Sequence, residues 1–436
     1  MLFCNIDLLD EKFETKRNQY VGVKDGRIAY IGASAPEEDF GERYDGRHRL
    51  LLPGFYNVHS HAPMTLLRGY AENLPLQRWL GEKVFPFEDQ IDDEAAYYGT
   101  LLAISEMLAS GTASFSDMYF FFGGMVPAIL ESGIKCNLSR GLTVFDDSDY
   151  TDLPAYRDNV RLRGEWNGAN NGRLIGDLCI HGEYTSNPKI VEAVAQHARE
   201  TGARIQIHLS ETQTEHEECK QRHGLTPAAY MEAHGIFDSP TTAAHCVWLT
   251  EEDMRLLAKR HVSAAHCPVS NLKLASGCAD VMGMVKAGMN VCLGTDSVAS
   301  NNNHDLFEEI KAAALMAKGK TGDPTAVPAE AALMMATVCG ARAQGREKEC
   351  GQLKLGMDAD LIMLDFTQPH HIPCHNILSN LVYAASGHDV VLTMVRGKIL
   401  YAAGKWPTID LAAVAKELHD YAIPKVFADD PEEQPQ

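Results

Sequence analysis

The sequence predicts an α/β protein: a (β/α)8 TIM barrel with a small β-sandwich domain built from both termini. Three observations predict it. Eight short apolar or β-branched runs each end in a chemically capable polar residue and lead into a helical stretch. Their spacing, about twenty to forty residues after the first, is that of a strand–helix repeat. Before the first run, alternating residues flank an Asp25-Gly26 turn, a hairpin signal. After the last helical stretch strand patterns return, so the two chain ends can share one β-domain. At 436 residues the chain has room for both parts. The boundaries follow: 1–52 for the first part of the β-domain, 53–345 for the barrel, and 346–436 for the rest of the β-domain with a C-terminal helix and tail.

In chain order, Tyr20–Gly32 supplies the hairpin, and Leu51-Leu52-Pro53-Gly54 leads into the first barrel strand, which ends at His59-Ser60-His61. The remaining runs end at Asp117, Arg140, His181, His208, His245, His266 and Asp296. A polar residue at one strand exit means little, but eight in succession, five of them histidine, mark the C-terminal rim where such barrels carry their active sites. Between them, Ile190–Arg199 repeats apolar residues at three and four, as an amphipathic helix does. The first interval is the longest. It holds Trp79, Phe85, Phe87 and Glu88 in a proline-punctuated segment placed to cover the barrel mouth. Ala359–Asp365 and Val391–Tyr401 read as the returning strands, and Asp429–Gln436 as a disordered acidic tail.

Composition excludes several classes. Asp+Glu 59 against Lys+Arg 39 gives a net charge of -20, so nucleic acid and anionic membranes are poor partners. No apolar run reaches membrane-spanning length, and no signal peptide is evident. The 11 cysteines are odd in number and never form a Cys-x-x-Cys pair, which points to reduced thiols and a cytoplasmic location.

On an extended strand His59 and His61 project to one side, as two imidazoles sharing a metal must. His208 and Asp296 fall on the same rim. Three nitrogens and a carboxylate suit zinc with a position left for water, and the set also accepts iron(II) or manganese(II). Water bound to such an ion yields hydroxide at neutral pH. Glu211, three residues after His208, is placed to shuttle a proton, although an acidic residue at a helix N-terminus would also look like this.

Asn57-Val58-His59-Ser60-His61, His208 with Glu211, Ala244-His245-Cys246 and Gly294-Thr295-Asp296 resemble the amidohydrolase superfamily over nearly the whole chain. His181 stands where binuclear members carry a bridging lysine, which resembles the mononuclear deaminase branch. The resemblance implies one metal per subunit, held by His59, His61, His208 and Asp296, with His245 polarising the bound water and Asp296 relaying a proton. Trp79, Glu88 in Phe85-Pro86-Phe87-Glu88, Arg140 in Ser139-Arg140-Gly141, and His181-Gly182 are similar to the 5'-methylthioadenosine/S-adenosylhomocysteine deaminases.

That likeness implies an adenine nucleoside as the small-molecule partner: methylthioadenosine, S-adenosylhomocysteine, adenosine or 5'-deoxyadenosine. Glu88 would hold the ribose hydroxyls, Arg140 and His181 would touch the nucleoside, and Trp79 would line the pocket near the 5' substituent. It also implies homo-oligomeric assembly. Members that take S-adenosylhomocysteine carry a second arginine for its carboxylate. Here that stretch holds Asp146, Asp147, Asp149 and Asp152, which favours a neutral 5' end. Two alternatives share the scaffold: deamination or dechlorination of triazine, guanine or cytosine rings, and a metal-free structural relative. His266 reads as slightly more structural than catalytic.

Overall fold

The apolar runs become eight parallel strands: Phe55–Ser60, Thr112–Tyr119, Lys135–Arg140, Leu174–Ile180, Ile205–Leu209, Thr241–His245, Ser263–His266 and Asn290–Leu293. They are buried almost end to end, as expected of a parallel sheet covered on both faces. The computed structural model describes residues 1–428, so the predicted acidic tail, Asp429–Gln436, lies outside the described residues.

The sheet closes between its first and last strands. Ser60 bridges Asp296 in parallel, and the Asp296 amide donates to the His59 carbonyl at 3.0 Å. Asn57 locks the same seam, accepting from the Thr295 amide at 3.0 Å and donating to its hydroxyl at 2.7 Å. Gly294 is required here, because a Cβ on it would stand 2.8 Å from the Cβ of His59. Two strand ends differ by more than one residue from the sequence reading. The eighth strand stops at Leu293, leaving Asp296 in the turn beyond with φ +60, and Asp117 lies inside the second strand.

The helix Pro188–Thr201 shows how the outer layer forms. Asn187 caps it by accepting from the Ile190 amide, and Pro188 suits the first turn. Ile190, Val191, Val194, Ala195 and Ala198 form the buried stripe, and Gly202 ends the helix at φ +65.

The termini form one eight-stranded mixed sheet, in which Arg49–Pro53 pairs with Leu361–Asp365 and joins the two chain ends. Phe3, Val21 and Ile28 share one core with Leu361, Met363, Leu392 and Met394, so the sheet curls over onto itself. The closing edge brings Gly26 against the Arg396 carbonyl, where a Cβ would stand at 2.9 Å. The C-terminal segment 411–426 packs on the barrel helix Asp93–Ala109, and the Phe427 ring meets Tyr70 and Phe87 at 5.4 and 4.7 Å. Among the described residues no helix is long and apolar enough to cross a membrane.

Candidate active site

Two of the metal-facing imidazoles are aimed by their second nitrogen. His61 Nδ1 lies 2.6 Å from the Met118 carbonyl and His208 Nδ1 lies 2.7 Å from the His181 carbonyl. A carbonyl only accepts, so Nδ1 carries the proton and Nε2 keeps its lone pair for a metal. Asp296 Oδ1 lies 3.5 Å from His59 Nε2 and 3.3 Å from His61 Nε2. Its other oxygen accepts from the hydroxyls of Ser270 at 2.6 Å and Ser300 at 2.9 Å.

Ligand atoms of His59, His61 and His208 lie within 4.8 Å of one another, as do those of His59, His245 and Asp296. Around tetrahedral zinc, ligand atoms stand about 3.3 Å apart, so the set fits a cation of this class. The buried His59 Nε2 has no hydrogen-bond partner among the described residues, as befits a ligand atom.

Charge states agree with that reading. Burial lowers the pKa of His59 to about 4 and that of His208 well below its usual range, leaving neutral imidazoles. Burial would also lower His61, but Asp296 outweighs it and raises the value to about 9. Burial alone would raise Asp296. The adjacent His59 and His61 more than offset this and hold the carboxylate ionised.

Glu211 sits in a tightly latched turn. The amides of Ser210 and Glu211 donate to the two carboxylate oxygens of Glu215 at 2.8 and 2.7 Å. The Ser210 carbonyl accepts from the Val247 and Trp248 amides at 3.1 and 2.9 Å. Ser210, His245 and Cys246 all take left-handed backbone, at φ +49, +71 and +50, a strain that collects at active sites. One Glu211 oxygen accepts from Ser276 Oγ at 3.1 Å, and the other lies 3.8 Å from His245 Nε2. Burial raises the Glu211 pKa against the opposing effect of His245, which favours the protonated acid. Asn271 orients His245 through its Nδ1 at 2.9 Å.

A cavity of about 640 Å³, counted to its open mouth, adjoins these groups. Trp79, Glu88 and His181 line it together with the metal-site residues His61, His208 and Asp296 and the proton-handling Glu211 and His245. The long first insertion therefore does roof the barrel. Arg140 does not line the cavity. Its guanidinium pairs with Asp158 at 2.9 Å and stacks 4.9 Å from the Phe120 ring, and Phe120 is the residue that forms the wall. Burial pushes the Glu88 carboxyl up to about 7 and lowers His181 to about 3.

Asp117 braces the first strand exit by accepting from the Ala62 amide at 2.7 Å and the Ser60 hydroxyl at 3.0 Å. His266 is buried outside the cavity, and neither ring nitrogen has a partner among the described residues.

Sequence reasoning missed Tyr119, Tyr184, Glu215, Ser270, Asn271 and Ser276. Ser270 and Asn271 stand in the first turn of Pro268–Lys273, directly after the seventh strand, a position on the active rim that could have flagged them.

Residues 50–400 match the model of the amidohydrolase family, and the chain belongs to that family. A 5-methylthioadenosine/S-adenosylhomocysteine deaminase of Moorella thermoacetica is 45% identical over 406 residues, covering 92% of this chain and 94% of the relative. A 5'-deoxyadenosine deaminase of Methanosarcina acetivorans is 43% identical over 386 residues, covering 88% of each. Among solved structures, an adenosine deaminase from Xanthomonas campestris with bound zinc superposes with a TM-score of 0.89 at 31% identity, covering 96% of both chains.

Proposed function

We propose that this protein is a metal-dependent hydrolytic deaminase of adenine nucleosides, giving the inosine analogue and ammonia. The observation that carries the reading is one cavity lined by His61, His208, Asp296, the buried acid Glu211 and Glu88, with the His59 ligand atom grouped beside them. The relatives' named substrates agree with it.

Zinc, when bound, supplies a Lewis acid that makes water acidic enough to give hydroxide at neutral pH. The protein's own groups do the rest. His245, held by Asn271, orients the attacking water. As the water oxygen adds to the amino-bearing carbon of the purine, Glu211 donates its proton to the adjacent ring nitrogen and regains one from that water. Asp296 takes the remaining proton from that oxygen and passes it to the amine, and the carbon–nitrogen bond breaks to release ammonia. Glu88 accepts from the ribose hydroxyls, His181 packs against the nucleoside, and Trp79 with Phe120 walls the 5' end. Arg140 serves this wall by fixing Phe120.

The 5' substituent is neutral. Among the described residues no lysine or arginine lines the cavity, whose walls include Met64, Leu76, Leu80, Val84 and Phe85. Arg161 pairs with Glu165, and Arg163 donates to backbone carbonyls, so neither is free for a substrate carboxylate. The test is a substrate panel followed by the loss of adenine absorbance. Metal-loaded enzyme turns over methylthioadenosine or 5'-deoxyadenosine with higher kcat/KM than S-adenosylhomocysteine, and chelation abolishes turnover. No turnover of any adenine nucleoside by the metal-loaded enzyme overturns the proposal.

A further inference from the structure

Away from the barrel mouth, a second group of metal-competent side chains lies beside the terminal sheet. Pro369–His371 forms a short turn after the strand Leu361–Asp365, and the turn Gly387–Asp389 brings Asp389 against it. His370 Nε2 lies 2.9 and 3.0 Å from the two oxygens of Asp389, and His371 Nε2 lies 3.6 Å from one of them. The three ligand atoms fall within 4.8 Å of one another. None of these residues lines the catalytic cavity.

His371 makes this more than a histidine–aspartate hydrogen bond. It is 1% exposed, and neither ring nitrogen has a hydrogen-bond partner among the described residues. Leaving two polar nitrogens buried without partners is costly, so an unpaired imidazole aimed at a carboxylate calls for an explanation. At 3.6 Å its Nε2 is too far from Asp389 to hydrogen-bond, yet close to the roughly 3.3 Å edge between ligands of a tetrahedral zinc ion. The ring is held rigidly, stacked on Phe366 with centroids 4.2 Å apart. Asp389 is fixed as well, accepting from the Ser386 amide at 2.9 Å. His370 keeps 44% of its side chain exposed, which gives an ion a way in and leaves a coordination position to water.

We infer that His370, His371 and Asp389 form a second, peripheral site for a zinc-class divalent cation. Two imidazoles and one carboxylate select borderline transition ions over calcium or magnesium. A bound ion would tie the loop after Leu361–Asp365 to the turn at Ser386–Asp389 and stabilise the terminal domain by mass action.

The experiment is a metal-stoichiometry measurement on tag-free, full-length holoenzyme equilibrated with zinc, alongside His370→Gln. His370 is half-exposed and its loss leaves the packed His371 and Asp389 in place, so this variant folds. The expected result is two equivalents of zinc in the parent and one in the variant, with kcat and KM unchanged. In the parent, zinc should also protect His370 from diethyl pyrocarbonate, read by peptide mass. One equivalent in both proteins, two in both, or equal modification of His370 with and without zinc overturns the assignment.

Discussion

Two buried polar clusters sit at opposite ends of the barrel strands, and they are built on different rules. At the N-terminal end Lys135, 1% exposed, lies between Asp360 at 2.6 Å and Asp358 at 2.9 Å. The Tyr56 hydroxyl donates to Asp360 at 2.9 Å, and Arg396 Nε lies 3.1 Å from Asp358. Opposite charges complete one another there, tying the first and third strands to the terminal domain. At the C-terminal end His59, His61, His208 and Asp296 direct ligand atoms toward a common point, with no lysine or arginine among the described residues that line the cavity. The lower cluster is a closed ion-pair network and the upper is a ligand set. Burial of charge alone does not mark an active site; convergent acceptors do. In barrels of this kind the two ends serve stability and chemistry respectively.

Substitutions break the comparison in opposite directions. Glu211→Gln keeps the Ser276 contact and removes a buried acid. It should lower kcat by about 10²–10⁴-fold, with metal content and thermal midpoint retained. Lys135→Met leaves Asp360 without its cation and Asp358 paired with Arg396 alone among its close partners. It should cost about 3–5 kcal/mol in denaturant unfolding while turnover per folded molecule stays at the parent value. If Lys135→Met instead lowered kcat at unchanged stability, the division of labour between the two ends would fail.

Glu215→Gln sharpens the boundary between them, because Glu215 is a buried acid that lies outside the cavity lining. It holds the Ser210 and Glu211 amides, and an amide side chain offers only one acceptor oxygen for the two donors. A fall in kcat of about 10–100-fold with KM nearly unchanged is expected, the scale of losing a residue that orients a catalytic group. A large rise in KM with normal kcat would place Glu215 in substrate binding instead.

Much of the upper cluster was legible in the sequence because a strand end is a local signal. His59, His61, His208 and Asp296 announce themselves by position in a repeating pattern, and closure of the barrel brings them together. The supporting residues were not legible for a physical reason. Ser270, Asn271 and Ser276 act through side chains that meet Asp296, His245 and Glu211 only after neighbouring strands have packed. The lower cluster was equally silent, since Lys135 opens an ordinary strand and its partners lie more than two hundred residues away. Arg140 shows the converse. The likeness to the deaminases implied contact with the nucleoside, whereas here the guanidinium pairs with Asp158 and stacks on Phe120.

The smallest effect is a titration, and it tests whether Glu88 belongs to the reactive end. Burial raises its pKa to about 7, partly countered by the Tyr119 hydroxyl, so near neutrality the group changes charge within the working range. A carboxylate can accept from two ribose hydroxyls at once, whereas the protonated acid has lost an acceptor site. The raised value makes the neutral form dominant below about pH 7 in the free enzyme, and binding of the nucleoside weakens there. KM should therefore rise about tenfold per pH unit below 7 and level off above it, following the fraction of competent enzyme. In Glu88→Gln, KM should be high and flat across the same range. A flat KM in the parent enzyme would remove Glu88 from the ribose site and leave it as part of the cavity wall.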